Sequence, residues 1–118
     1  MTPIRASQTQ HALALAPAAR GFTDLEGHWH DLRRRPLLRR LLLELVEQRR
    51  GSPGTGITAD RLVEAAWPGE HILPDAATNR LYVALARLRK MGLRDVIQSR
   101  PEGYAIDPAV DVVWREEG

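Results

Sequence analysis

Positions 79–90 hold the stretch NRLYVALARLRK, in which leucines and cationic residues recur at helical spacing. At about 100° per residue, a helix through it places Leu81, Leu85 and Leu88 on one side, with Ala77 and Ala84. The opposite side presents mostly polar and cationic residues: Asn79, Val83, Ala86 and Lys90, flanked by Arg80 and Arg87, with Tyr82 and Arg89 more lateral. No carboxylate lies between positions 76 and 91. The pattern predicts a helix that packs through its leucines and exposes a positive face.

Boundary residues set the limits of this helix and predict a hairpin after it. Asp75 is expected to cap a helix over 76–91, which Gly92 stops. Beyond Gly92, strands over 96–99 and 104–106 are expected to form a β-hairpin around a Pro-Glu-Gly turn.

Two further helices are predicted upstream. Thr58 is a suitable N-cap for a short helix whose apolar residues are Leu62, Val63, Ala66 and Trp67, and which Pro68 and Gly69 end. Before it, Pro36 suits the first turn of a longer, heavily buried helix over 37–48.

The shared helical phase of the large apolar residues predicts one hydrophobic core. Its expected members are Leu41, Leu45, Leu62, Trp67, Leu81, Leu85, Leu88 and Tyr104. Trp29 is also expected to be a core residue rather than a platform for stacking bases.

Short strands are expected at both ends of the chain. The segments 11–15 and 27–32 are predicted strands, with Trp29 on one face of the second and His28 and His30 on the other. A short edge strand is expected within 110–118. The sequence therefore predicts an α+β domain over residues 11–113, with a flexible N-terminus at 1–10 and a charged tail at 114–118.

Composition narrows the class of protein. The 118 residues are 43% hydrophobic, with a net charge of +2 and no cysteine, which excludes disulfides and thiolate chemistry. Arginine outnumbers lysine sixteen to one. This bias favours anionic partners, because the guanidinium group forks to phosphate, although a GC-rich genome explains it equally well. No apolar run is long enough to span a membrane and no signal peptide is recognisable, so a cytoplasmic location is expected.

Catalytic and metal-binding patterns are not recognisable. The glycines over 51–56 have the spacing of a phosphate loop, but the lysine that should follow is missing. His28 and His30 could begin a zinc site, yet no third ligand lies near them in the sequence. We therefore expect no enzyme activity, no cofactor and no metal.

Three motifs in order resemble a known family. LVEAAWPGE at 62–70, the stretch at 79–90, and Ile97–Arg100 with Gly103-Tyr104 resemble the OmpR/PhoB-type effector domains and the related activator domains of actinobacterial antibiotic regulators. The resemblance covers about 29–107. It implies a bacterial winged helix-turn-helix with a short N-terminal antiparallel sheet, three helices and a C-terminal hairpin wing. It also implies that the third helix enters the DNA major groove, and that the loop before it contacts RNA polymerase.

Two functions remain open from the sequence. The first is transcription regulation through double-stranded DNA, with Asn79, Arg80, Val83, Arg87 and Lys90 in the groove, and Arg89 and Arg100 on phosphates or in the minor groove. The basic cluster formed by Arg33, Arg34, Arg35, Arg39 and Arg40 either touches the backbone or is a solvated surface.

The second function is a protein-interaction or dimerisation module with weak or no DNA binding. Its contacts would be Ile72 and Leu73, or the third helix, on RNA polymerase, another protein or a second copy. It stays open because the sequence departs from the family: Ala84, Ala86 and Ala105 stand where polar or basic residues are usual, and Glu102 would repel phosphate.

Overall fold

The computed structural model describes residues 12–115, and within that range the chain is an α+β protein with three α-helices and two sheets. The helices are α1 (Pro36–Gly51), α2 (Ala59–Ala66) and α3 (Pro74–Leu88). The strands are β1 (Ala12–Leu15), β2 (Gly21–Thr23), β3 (Trp29–Asp31), β4 (Ile97–Arg100), β5 (Gly103–Ile106) and β6 (Asp111–Trp114). The predicted flexible N-terminus at 1–10 and the last three residues of the predicted tail lie outside the described residues. No helix of residues 12–115 has the length and apolar character needed to cross a membrane.

The structure has one sheet that joins the two ends of the described chain and one local, two-stranded sheet. The larger sheet has the order β3-β2-β1-β6, with β1 antiparallel to β2 and parallel to β6. The smaller sheet is the predicted hairpin of β4 and β5. Ile57, just before α2, makes a bridge to Tyr104 and ties the hairpin to the helices. Strand β2 was not predicted, because its three residues follow a Pro-Ala-Ala turn and are too few to show an alternation.

Helices α1 and α2 start where the sequence predicts. Pro36 lies in the first turn of α1, and the Thr58 hydroxyl accepts a hydrogen bond from the Arg61 N–H at 3.2 Å, as an N-cap does. Helix α1 extends three residues beyond its predicted end, to Gly51.

The prediction that Asp75 caps α3 is wrong. Pro74 is the first residue of the helix and Leu73 takes the cap position, so Asp75 lies inside the first turn. There its carboxylate still faces the positive end of the helix dipole. The helix ends at Leu88, three residues before the predicted end. It continues as a wider π-helical turn over Arg89–Leu93, in which Gly92 has a φ of 88°.

One hydrophobic core joins the helices to both sheets. Of the predicted core, six leucines are buried: Leu41, Leu45, Leu62, Leu81, Leu85 and Leu88. Trp67 and Tyr104 are half-buried and pack against that cluster. The helical phase predicted for α3 is therefore confirmed, because its leucine side faces the core.

The prediction that Trp29 is a core residue is wrong, since 53% of it is exposed. Strand β3 is an edge strand, and His30 pairs with the buried Phe22 of β2, so the side that carries His30 faces inward. The His30 and Phe22 rings stack at 4.9 Å between centroids. Trp29 lies on the outer side, where its ring covers Gly21 and leaves no room for a Cβ atom there.

Candidate nucleic-acid interface

The outward side of α3 is exposed as a continuous surface. Asn79, Arg80, Ala86 and Arg87 are exposed, and 47% of Val83 is accessible. Lys90 follows in the π-helical turn and is exposed as well. The leucines on the other side anchor the helix, so this positive surface has a fixed orientation.

Two of the cations on this surface have no partner within the described part of the chain. The side chains of Arg87 and Lys90 make no hydrogen bond and no ion pair with residues 12–115. Both charges are hydrated and can bind phosphate or a base edge without breaking an internal contact.

Arg80 is held differently. Its guanidinium lies 3.5 Å from the carboxylate of Glu70 and 5.8 Å from the centre of the Trp67 ring. Both partners belong to the segment before α3, and nothing in the sequence pattern signals a pair ten residues apart. Because exposed ion pairs are worth about 1 kcal/mol or less, Arg80 can exchange Glu70 for a phosphate at small cost.

Arg89 fixes the hairpin to the end of α3. Its Nε and Nη2 donate to the Ile97 carbonyl oxygen at 3.2 and 2.9 Å, and Nη2 lies 3.4 Å from the Ser99 hydroxyl. Its guanidinium also lies 5.9 Å from the centre of the Tyr104 ring. With these contacts made, Arg89 positions the other residues and offers few free donors to a ligand.

Arg100 and two tyrosines complete the joint between α3 and the hairpin. Arg100 is half-buried and donates from Nη2 to the Gln98 amide oxygen at 2.9 Å, while its Nε is buried without a partner among the described residues. Burial raises the pKa of Tyr104, and the neighbouring Tyr82 raises it further. Tyr82 is 57% exposed, so an aromatic side chain that the sequence did not assign to the site flanks the positive surface.

Four residues differ from the pattern of the family that the sequence resembles, and three of them do not lie on the exposed side of α3. Ala84 and Ala105 are buried, so neither removes a contact from the surface. The Glu102 carboxylate accepts a hydrogen bond from the Gly56 N–H at 2.7 Å, and this bond lowers its pKa. Only Ala86 lies on the exposed side of α3.

The basic cluster around the start of α1 is divided by internal contacts. Arg33 forms a two-pronged ion pair with Asp31, at 3.0 and 2.9 Å, and these hydrogen bonds lower the pKa of Asp31 to about 2. Arg40 donates to the Ala66 carbonyl oxygen at 3.2 Å and thereby caps the end of α2. Arg34 and Arg35 remain exposed.

Both histidines lie near the buried Asp24 carboxylate. His30 Nε2 lies 2.8 Å from Asp24 Oδ2, and Nδ1 of the exposed His28, in the turn before β3, lies 3.7 Å from the same oxygen. Asp24 also accepts from the backbone N–H groups of Glu26 and His28. Although burial raises the pKa of Asp24, these hydrogen bonds lower it overall. Residues 12–115 contain no group of three side chains that could hold a metal.

A second feature is a groove of about 520 Å³ between α2 and the start of α3. Its floor is apolar, with Val63, Trp67 and Ile72, and its rim includes the carboxylates of Asp60 and Glu64. Ile72 is half-buried against this floor, whereas 77% of Leu73 is exposed beside it. Ile72 therefore lines the groove, whereas the Leu73 side chain is exposed beside it.

Comparison with known proteins gives no match: no protein-family model, no curated protein and no solved structure matches this chain. The resemblance of the three motifs stays a prediction from the sequence.

Proposed function

We propose that the chain is a winged helix-turn-helix module that binds double-stranded DNA and regulates transcription. In this proposal α2 and α3 are the helix-turn-helix pair, and β4 and β5 are the wing. The order of the elements supports it. The bridge from Ile57 to Tyr104 ties the hairpin to the start of α2, and the hydrogen bonds from Arg89 to the Ile97 carbonyl oxygen hold it beside the end of α3. The observation that carries the proposal is the exposed positive side of α3, where the side chains of Arg87 and Lys90 have no partner among the described residues.

In the proposed complex, α3 lies in the major groove. An arginine can fork to the two acceptors of a guanine, Asn79 can pair with an adenine, and Lys90 can neutralise a phosphate. Val83 and Ala86 are small enough for close approach and can touch thymine methyl groups. Arg100 then contacts a phosphate or the minor groove from the wing, and Arg89 holds the wing beside α3.

A spectroscopic titration tests where DNA binds. Unlabelled duplex is added to isotope-labelled protein, and the backbone amide signals are followed by NMR. We expect the largest changes on the outward side of α3 and in the wing, with small changes around the groove between α2 and α3. Changes confined to the groove, or to Arg34 and Arg35, would contradict the proposal.

The groove supports a second candidate function, a contact with another protein. An apolar floor beside an exposed leucine suits an apolar side chain of a partner. The carboxylates of Asp60 and Glu64 on the rim favour a partner that carries basic residues beside that side chain. The same carboxylates would oppose DNA, so the two functions use different surfaces and are compatible in one molecule.

A further inference from the structure

The four-stranded sheet has an open edge formed by β6. Strand β6 pairs with β1 on one side, and no strand of the described residues covers its other side. The Arg115 N–H donates to the Leu15 carbonyl oxygen at 2.7 Å, toward β1. Because backbone groups alternate along a strand, the N–H and C=O groups of Val112 and Trp114 point to the open edge.

The open edge is unusually apolar for an exposed strand. Val113 is 44% exposed and Trp114 is 39% exposed. Neither lysine nor proline, which commonly protect such edges, occurs in β6. An unprotected apolar edge invites a further strand.

The opposite charges at the two ends of β6 indicate which strand would pair with it. Asp111 begins β6 and Arg115 directly follows it, and neither side chain forms an ion pair with another described residue. At about 3.3 Å per residue they lie about 13 Å apart, too far to pair within one chain. A strand of the same sequence that runs in the opposite direction brings each next to its opposite charge.

We propose that β6 pairs antiparallel with β6 of a second copy of this chain, with Val113 on the two-fold axis. Val112 then faces Trp114 of the second copy, and Asp111 faces Arg115 of the second copy, each pair occurring twice. The outward N–H and C=O groups of Val112 and Trp114 meet their counterparts in this register and form four backbone hydrogen bonds. The four-stranded sheets of the two copies then form one continuous sheet of eight strands.

This inference does not rest on DNA binding, since it uses a different surface. A protein that binds DNA but stays monomeric would contradict the dimer alone. A dimer that does not bind DNA would contradict the proposed function alone.

Charge reversal tests the pairing. Asp111→Arg places arginine against Arg115 of the second copy, and Arg115→Asp places aspartate against Asp111. By sedimentation velocity over a concentration series, we expect each variant alone to associate about tenfold or more weakly than the wild type. An equimolar mixture of the two variants restores both opposite-charge pairs and should associate like the wild type. A wild type that stays monomeric, or a mixture no better than either variant alone, would overturn the proposal.

A covalent test uses the absence of cysteine in the sequence. Val113→Cys places two thiols at the axis in a closely spaced, non-hydrogen-bonded pair, which suits a disulfide. Mild oxidation should give a cross-linked dimer, while the control Thr23→Cys, on the same face but two strands away, should not. Equal cross-linking of both variants, or none of Val113→Cys, would contradict the register. Both residues are accessible enough for the variants to fold.

Discussion

The Glu102 carboxylate accepts a hydrogen bond from the backbone N–H of Gly56 at 2.7 Å. Glu102 lies at the turn of the hairpin, and Gly56 lies in the loop that leads into α2. Gly56 is buried, and an added Cβ would lie 2.9 Å from the Glu102 side chain, so a larger residue there would displace that side chain from the hydrogen bond. The negative charge that would repel DNA at this turn is thus used to attach the hairpin to the helices.

Acidification should weaken this attachment. The Gly56 hydrogen bond holds the pKa of Glu102 below its ordinary value of 4.5. A lowered folded-state pKa means that the contribution to stability is present above 4.5 and is lost as the pH falls through the folded-state value. Glu102→Gln should therefore lower Tm near neutral pH, with the difference shrinking in acid. Glu64→Gln, at an exposed position without a backbone partner among the described residues, is the charge-matched control; the same pH-dependent difference in both variants would contradict the assignment.

The glycine of the Gly-Tyr pair should be irreplaceable. Gly103 has a φ of 153°, and a Cβ there would lie 1.9 Å from the Ile57 carbonyl oxygen. Gly103→Ala should lower the free energy of unfolding by about 3 kcal/mol or more, because the backbone of Ile57 must move. Gly69→Ala, at a φ of 77° with open space around it, is the control and should cost about 1 kcal/mol. Equal losses in urea unfolding would show that the contact with Ile57 does not matter.

The two sides of α3 should respond differently to truncation. Leu85 is buried, so Leu85→Ala should cost about 2–5 kcal/mol in urea unfolding. Val83 is half-exposed on the other side, and Val83→Ala should cost about 0.5 kcal/mol or less. A larger loss for Val83→Ala than for Leu85→Ala would mean that the helix is rotated about its axis.

Periodicity and turn chemistry were sufficient to predict the helices and the hairpin. The leucines of α3 repeat at helical spacing, and Thr58 is a strong N-cap, so both features depend on neighbouring residues only. The orientation of β3 was beyond such reasoning. Trp29 and His30 alternate as predicted, but which side faces inward depends on Phe22 in a strand that only tertiary pairing reveals.

The exposed residues of the candidate interface were predictable, but their internal partners were not. Helical phase alone placed Asn79, Arg87 and Lys90 on the outward side. The contacts of Arg89 with Ile97 and of Arg80 with Glu70 join residues eight and ten positions apart through turns, and no local pattern encodes them. These contacts hold the Arg89 and Arg80 guanidinium groups in place, and the DNA contacts predicted for both residues stay predictions.

The exposed leucine beside the groove should matter for binding and not for folding. Because 77% of Leu73 is accessible, Leu73→Ser should change the free energy of unfolding by about 0.5 kcal/mol or less and leave DNA affinity unchanged. Ile72→Ser should cost more, since that side chain is half-buried against the groove floor. Thermal unfolding of both variants checks this, and a large loss for Leu73→Ser would remove the case for a free docking residue.

The affinity for a labelled duplex across a salt series shows whether α3 binds DNA. Fluorescence polarisation would compare the wild type with Arg87→Ala/Lys90→Ala, and with the charge-matched control Arg50→Ala/Arg94→Ala, whose exposed residues lie outside α3 and the hairpin. If both cations bind phosphate, the wild type should bind at low salt and the first variant should bind more weakly. For the first variant, the negative slope of log affinity against log salt should then be less steep by about two units. The control should stay close to the wild type. No binding by the wild type at low salt, or an unchanged affinity and slope in the first variant, would contradict the proposal that α3 binds DNA.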